Sequence, residues 1–344
     1  MKVLHIANLI GSNTNGIDYV VEKILLHQNA LDKINVDQIN LNNFSYKIAF
    51  DAINLNDVII FHSIFSIKSW SLIFYCLFKN KPYIIFPHSG LTISSFEKSK
   101  IKKKLVMKLF LKKLIFKAAA VHFLNENEKE NSYKFYSRSF IVPNGIDIDY
   151  DIDKKERQKY IAYLGRYDIN HKGIDILLDA IKLIQDEFRN RGYTIIMHGY
   201  DPSNVSLNFI NDFVAKNNLS DLICVRGPVT NSNDKINFLS HASAYILTSR
   251  YEGLPITVLE ALSLDTPCLV SKGTNMAELI DKNGFGISCL SNSDSVKNML
   301  INFFVQSENS GFKSSRSFLI DNFSWKTISG QLVNEYKKAI NYGK

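Results

Sequence analysis

Short runs of consecutive apolar residues alternate along this chain with longer stretches whose apolar residues return every three or four positions. The runs 2–7, 58–61, 83–86, 120–123 and 140–142 predict one series of strands, and 160–164, 194–197, 222–225, 244–247 and 267–270 predict a second. Strands apolar on both faces are covered on both, as in a parallel sheet packed between helix layers. Helical spacing marks 173–188 and 257–264, and also 325–342, where Ile328, Leu332, Val333, Tyr336 and Ile340 share a face. Two strand–helix series predict an α/β chain of two doubly wound, Rossmann-like domains.

A length of 344 residues suits two domains of roughly 150 residues each. The charged stretch 149–159, "DYDIDKKERQK", has little to bury and reads as the linker. The expected organisation is therefore a first domain over 1–148 and a second over 160–324. A terminal helix over 325–344 is expected to pack back toward the first domain.

The window 58–78 is the most apolar, yet His62, Lys68 and several serines interrupt it, which argues against a spanning helix. The opening "MKVLHIANLI" lacks a cleavage site and runs into a polar glycine loop, so it reads as a buried strand. Cys76, Cys224, Cys268 and Cys289 lie far apart with no CxxC pair, which suits a reducing cytosol and excludes a zinc ribbon. The expected location is cytoplasmic.

Charge changes the picture in one place. The net charge is +8, and nine lysines fall between Lys98 and Lys117. Wound as a helix, this segment puts Val106, Met107, Phe110, Leu111 and Leu114 on one apolar stripe. Leu105, Leu109 and Phe116 lie opposite, among Lys102, Lys108, Lys112 and Lys113. Such a mixed face suits docking on an anionic membrane surface. An ordinary surface helix with lysine stems lying over leucines stays open as the alternative. No nucleic-acid-binding motif accompanies the charge, so no nucleic-acid partner is expected.

Ligands of open α/β sheets bind beyond the carboxyl ends of the strands. After 160–164 come Gly165 and Arg166, then Lys172 and Gly173 opening a helix. Two cations beside a helix N-terminus favour an anion such as a diphosphate, although a solvated basic loop would look the same. After 244–247 comes "TSRYEGLPITVLEAL", with Glu252 and Glu260 eight positions apart. Pro255 suits the first helical position, which leaves the Gly253 and Leu254 amides available. Two carboxylates around an amide-rich turn can each hold a sugar diol, with a phosphate between them.

Together, "GRYDINHKGIDILLDA", "VPNGID" at 142–147 and the two glutamates closely resemble glycosyltransferase family four, of the "glycosyl transferases group 1" type. The resemblance runs from residue 1 to about 336. It implies a GT-B fold, with two Rossmann-like domains facing across a cleft, and metal-independent sugar transfer with retained configuration. Arg166 and Lys172 match the pair that binds the donor diphosphate, Glu252 the contact to the donor sugar, and Glu260 the ribose ligand. Gly253 and Leu254 match the turn whose amides approach sugar or phosphate, and Gly16 the first-domain glycine loop. His88 in "PHSG" matches a histidine near the transferred sugar, Asn144 and Gly145 lie in the interdomain turn, and Gly199 sits in the donor site.

The implied donor is a nucleoside diphosphate sugar, with UDP the commonest in the family. The implied acceptor is a hydroxyl of a glycan or a lipid-linked molecule, in bacterial surface polysaccharide synthesis. Neither a cofactor nor a metal is expected. The same architecture also serves phosphorylases and nucleotide-sugar epimerases, and a silent nucleotide-sugar-binding subunit is a third alternative.

The chain departs from the pattern in three places. Asn15 precedes Gly16 where paired glycines are usual, Tyr200 and Asp201 follow Gly199 where a second glycine is common, and Asp265 replaces a helix-end glycine. The alternating aspartates Asp147, Asp149, Asp151 and Asp153 mimic a metal-holding DxD but read as a solvated linker. His62, in "FHSIF", reads as a hydrogen-bonded packing residue, with a place in the acceptor cleft as the alternative.

Overall fold

The computed structural model describes residues 1–11, 16–63, 65–93, 111–148, 156–309 and 311–342. It divides into two compact units, Met1–Gly145 with Asn322–Lys344, and Ile146–Asp321.

The first unit is built on a six-stranded sheet in the order β2-β1-β3-β4-β5-β6. Its strands are β1 (Lys2–Ala7), β2 (Asn35–Asn40), β3 (Val58–His62), β4 (Tyr83–Phe86), β5 (Ala120–Phe123) and β6 (Ser139–Ile141). The second sheet has the order β12-β11-β10-β7-β8-β9. It comprises β7 (Gln158–Leu164), β8 (Thr194–His198), β9 (Ile223–Arg226), β10 (Ala242–Leu247), β11 (Cys268–Ser271) and β12 (Gly286–Cys289). All the pairings within both sheets are parallel.

The apolar runs fall where the pattern places them because central strands are enclosed on both faces. Every residue of β3, β4 and β5 is buried. Helices follow the strands and lay their apolar stripes on the sheets. Ile174–Leu183, for example, buries Ile174, Ile176, Leu177, Leu178, Ala180 and Ile181.

Four details differ from the sequence reading. β2 and β12 were not expected: both are edge strands, half-exposed and too polar to show as apolar runs. The helix predicted over 173–188 is two, Ile174–Leu183 and Gln185–Arg191, because Ile184 leaves the helical region at φ −127° and ψ 28°. Gln158 and Lys159, assigned by their polarity to the linker, are the exposed first residues of β7. The chain passes between units at Gly145, before residue 148, and it rejoins the first unit at Asn322, before residue 325.

Helix Trp325–Tyr342 packs on helix Gly16–Asn29 within the first unit. Gly145 is required there: a Cβ would meet the Trp325 ring at 2.5 Å. Of the lysine-rich segment only Leu111–Lys117 lies within the described residues. There Leu111, Leu114 and Ile115 are buried, while Phe116 is exposed beside Lys112, Lys113 and Lys117. Among the described residues no helix is long and apolar enough to cross a membrane.

Candidate functional site

The second unit gathers its chemistry at the carboxyl ends of β7 and β10. After β7, Gly165 and Arg166 lead to Asp168, whose carboxylate accepts a hydrogen bond from the His171 amide at 3.0 Å. That cap starts the short helix Ile169–Lys172. Gly173 ends it in the left-handed region at φ 61°, where a Cβ would lie 2.2 Å from the Thr248 carbonyl oxygen. Only glycine fits this turn, and the turn aims Lys172 at the segment after β10.

There Lys172 Nζ meets Glu252 Oε1 at 2.6 Å, with the two side chains only 14% and 11% exposed. Ser249 Oγ donates to the same carboxylate oxygen at 2.7 Å. His171 Nε2 lies 3.8 Å from Glu252 Oε2, and its ring stacks on Tyr251 at 4.3 Å. Burial lowers the His171 pKa, which the Glu252 charge opposes. Arg166, at the loop, places Nη2 3.5 Å from His171 Nδ1.

The two segments are stapled together. Arg250 binds both carboxylate oxygens of Asp175 at 2.9 and 2.6 Å and the carbonyls of Ile169 and Asn170 at 3.0 and 3.2 Å. Its amide donates to the His171 carbonyl at 2.9 Å. Asn275 donates to the carbonyls of Glu252 and Gly253. The Lys172–Glu252 geometry is thus held by the backbone of both loops rather than by the pair alone.

Pro255 is the N-cap of helix Ile256–Ser263 rather than its first residue, since its ψ of 106° is extended. The predicted helix over 257–264 therefore starts one residue earlier. Its first turn leaves amides without intrahelical partners, and the Leu254 amide has no hydrogen-bond partner among the described residues. Glu260 projects one turn further and meets Lys235 Nζ at 2.6 Å, with side-chain exposures of 19% and 32%. Burial raises the Glu260 pKa; Lys235 pulls it back and Asp147 pushes it further up.

Gly199 follows β8 in contact with the first loop, where a Cβ would meet the Gly165 carbonyl oxygen at 2.1 Å. Asp201, standing where a second glycine is common in the family, accepts from Ser206 N at 2.6 Å, in the first turn of helix Val205–Lys216. Asp265 adopts φ 58° in place of a glycine and accepts from the amides of Ser315 and Arg316 at 2.7 and 3.0 Å. Both departures build local structure.

The remaining candidates lie in the first unit. His88 and Ser89 follow β4 with φ 48° and 61°, left-handed values that non-glycine residues rarely adopt. Buried Glu128 holds this turn: its two oxygens accept from Ser89 N at 2.8 Å and Leu124 N at 2.7 Å. Burial raises its pKa against those hydrogen bonds. His62, buried, bonds His88 on one side and His5 on the other, both at 2.9 Å. Gly16 opens helix Gly16–Asn29, and a Cβ there would meet nothing within 4 Å among the described residues. Asn15 lies outside the described residues, as do Asp149, Asp151 and Asp153. Asn144 is 9% exposed beside the Gly145 turn.

Sequence reasoning missed Ser249, Arg250, Asp175, Lys235, Asn275 and Glu128. None was singled out by a motif of its own; most of their partners are remote in the chain, and only folding reveals them.

Residues 147–316 match the family described as Glycosyl transferases group 1. That match spans nearly all of the second unit, Ile146–Asp321. An uncharacterized glycosyltransferase of Methanocaldococcus jannaschii is 28% identical over 159 residues, covering 42% of this chain and 37% of the relative. A second from the same organism is 23% identical, over 69% of this chain and 62% of the relative, so the chain spans less than two thirds of either archaeal protein. The GDP-mannose:cellobiosyl-diphosphopolyprenol alpha-mannosyltransferase of Xanthomonas campestris is 21% identical over 76% of this chain and 68% of its own. Among solved structures, Anabaena HepE in complex with UDP has a TM-score of 0.77 at 14% identity, covering 98% of this chain and all of that one. HepE has also been solved with UDP-glucose. This likeness shows the fold, which is GT-B, with a doubly wound parallel sheet in each unit.

Proposed function

We propose that this protein is a retaining glycosyltransferase. It moves a sugar from a nucleoside diphosphate sugar, a UDP-sugar first among candidates, to a hydroxyl of a glycan or lipid-linked acceptor without a metal. The observation that carries the reading is the stapled Lys172–Glu252 pair beside Arg166 at the carboxyl ends of β7 and β10. Arg166 and Lys172 meet the charge that develops on the leaving diphosphate. Glu252 orients the transferred sugar, the Gly253–Leu254 turn offers amides to sugar or phosphate, and Glu260 holds the ribose. Gly199 keeps the loop after β8 close to Gly165. In the first unit His88 contacts the transferred sugar, Gly16 belongs to the loop that closes on the donor, and Asn144 to the turn joining the units.

The bond from the anomeric carbon to the phosphate oxygen breaks, and the acceptor oxygen bonds to that carbon on the same face. The leaving phosphate oxygen takes the acceptor proton, so no carboxylate base is needed. Glu252 is engaged by Lys172 and Ser249, which suits binding and orientation.

A role in bacterial surface polysaccharide synthesis, in capsule, exopolysaccharide or lipopolysaccharide, is supported by the Xanthomonas relative, named for a diphosphopolyprenol-linked acceptor. Such an acceptor suits peripheral attachment to the inner face of the cell membrane, for which exposed Phe116 and its lysine neighbours are suited.

Thermal-shift screening against UDP, GDP and ADP sugars, followed by product analysis with and without EDTA, tests the reading. Stabilisation by one nucleotide sugar and EDTA-resistant transfer are expected. Inversion at the anomeric carbon, or loss of activity with EDTA restored by manganese, contradicts it. Release of sugar phosphate when inorganic phosphate replaces the acceptor would indicate a phosphorylase instead.

A further inference from the structure

Five polar side chains of the first unit stand in single file. Gln28 Nε2 donates to Tyr336 Oη at 3.2 Å, and Gln28 Oε1 lies 3.0 Å from His5 Nε2. His5 Nδ1 lies 2.9 Å from His62 Nε2, and His62 Nδ1 lies 2.9 Å from His88 Nε2. His5, Gln28 and Tyr336 are wholly buried and His62 is 1% exposed, whereas His88 at the end of the file is partly exposed. The file draws on β1, helix Gly16–Asn29, β3, helix Trp325–Tyr342 and the turn after β4.

A neutral imidazole has one donor and one acceptor nitrogen, so a file of three admits only two proton orders. Burial keeps the rings neutral: it lowers His5 and His88 to about 4 and His62 well below its ordinary value. His122, bonded to the Val142 carbonyl at 2.6 Å and itself lowered to about 3, disfavours a further charge on His62.

The order is set at the closed end. Gln28 Oε1 only accepts, so His5 Nε2 carries the proton and His5 Nδ1 accepts from His62 Nε2–H. His62 Nδ1 then accepts from His88 Nε2–H. His88 Nδ1 remains as an acceptor, and no described residue hydrogen-bonds it.

We propose that Gln28, His5 and His62 are positioning residues that deliver His88 as the Nε2–H tautomer, so that its Nδ1 accepts a hydrogen bond from a hydroxyl of the transferred sugar. This rests on the assignment of His88 to that sugar under Proposed function. A site built to receive a hydroxyl proton discriminates against sugars lacking that hydroxyl, because the acceptor, once covered by the bound sugar, is left unmatched.

The test uses the full chain with 15N-labelled histidine. Long-range proton–nitrogen correlation at neutral pH reads each tautomer directly, without any ligand. His88 is expected to be Nε2–H in the wild type, and to become mixed in Gln28→Met, which removes the acceptor at similar side-chain length. Titration with UDP and with UDP-glucose is the second readout. An even mixture halves the competent population, so Gln28→Met should weaken UDP-glucose about twofold or more and leave UDP unchanged.

An Nδ1–H tautomer for His88 in the wild type overturns the proposal even if the variant fails to fold. An unchanged tautomer in folded Gln28→Met also overturns it, leaving the file a packing feature. A shifted tautomer with unchanged UDP-glucose affinity overturns the assignment of His88 to the sugar. Failure of the wild type to bind either UDP or UDP-glucose instead overturns the choice of a UDP-sugar as donor while leaving the tautomer result standing.

Discussion

Lys172 Nζ and Glu252 Oε1 stand 2.6 Å apart, 80 residues apart in sequence, between loops that leave the two side chains 14% and 11% exposed. Arg250, bound to Asp175 and to two carbonyls of the opposite loop, fixes the distance. In such surroundings removing one partner leaves the other as an unmatched charge, which costs more than the pair itself contributes.

Lys172→Met is therefore expected to lower unfolding stability by about 2 kcal/mol and turnover by roughly 100- to 1,000-fold. Urea denaturation and steady-state transfer rates separate the two effects. A folded variant with near-normal turnover would remove Lys172 from the diphosphate.

Glu260 gives a pH test whose sign is fixed. Its pKa is raised in the folded state by burial, so the folded protein holds this proton to a higher pH than the unfolded chain, where the ordinary value is 4.5. That difference favours folding at acid pH and is lost as pH rises from 4.5 through the raised value. Glu260→Gln removes the dependence. Relative to wild type, the variant should gain stability as pH increases across that window, and should bind UDP more weakly at neutral pH. Chemical denaturation at several pH values, with UDP titration, checks both.

The histidines act in the opposite direction. His5, His88 and His122 fall to about 4, about 4 and about 3, and His62 falls well below 6.5. The unfolded chain binds more protons below pH 6.5, so stability present above that value is lost as pH falls toward 4. Acid unfolding of the first unit with uptake of more than one proton is expected. His122→Phe should flatten the curve by up to one proton, read from the slope of stability against pH.

Gly199→Ala and Gly173→Ala test the close approaches that shape the site. The new Cβ atoms would lie 2.1 Å from the Gly165 carbonyl oxygen and 2.2 Å from that of Thr248. Displacing those backbones costs about 1–3 kcal/mol. The accompanying shift of the Arg166 and Lys172 loop should raise KM for the donor. A melting curve and a donor titration on each variant are sufficient.

How much of this was legible in the sequence depends on how local the physics is. The strands of both sheet interiors were legible because burial on both faces forces uninterrupted apolar runs. The edge strands β2 and β12 were not, since one open side lets polar residues in. The motif residues Arg166, Lys172, Glu252 and Glu260 could be named from short stretches with chemical logic of their own. Their partners could not: Lys235 lies 25 residues from Glu260, and Arg250 lies 75 from Asp175. Pro255 at the N-cap rather than the first helical position is a one-residue error of the kind that cap geometry alone resolves. The file from Gln28 to His88 joins segments that only the sheet order brings together.

The central claim is that the second unit grips a nucleoside diphosphate sugar through Arg166, Lys172, Glu252 and Glu260. Calorimetric titration of the full chain with UDP-glucose, GDP-mannose and ADP-glucose in EDTA tests it most directly. One of the three should bind at one site per chain, and Arg166→Ala with Lys172→Ala should weaken that binding by about 100-fold or more, the loss of two charge-assisted contacts. Binding by none of them, or undiminished affinity in the folded double variant, would contradict the account.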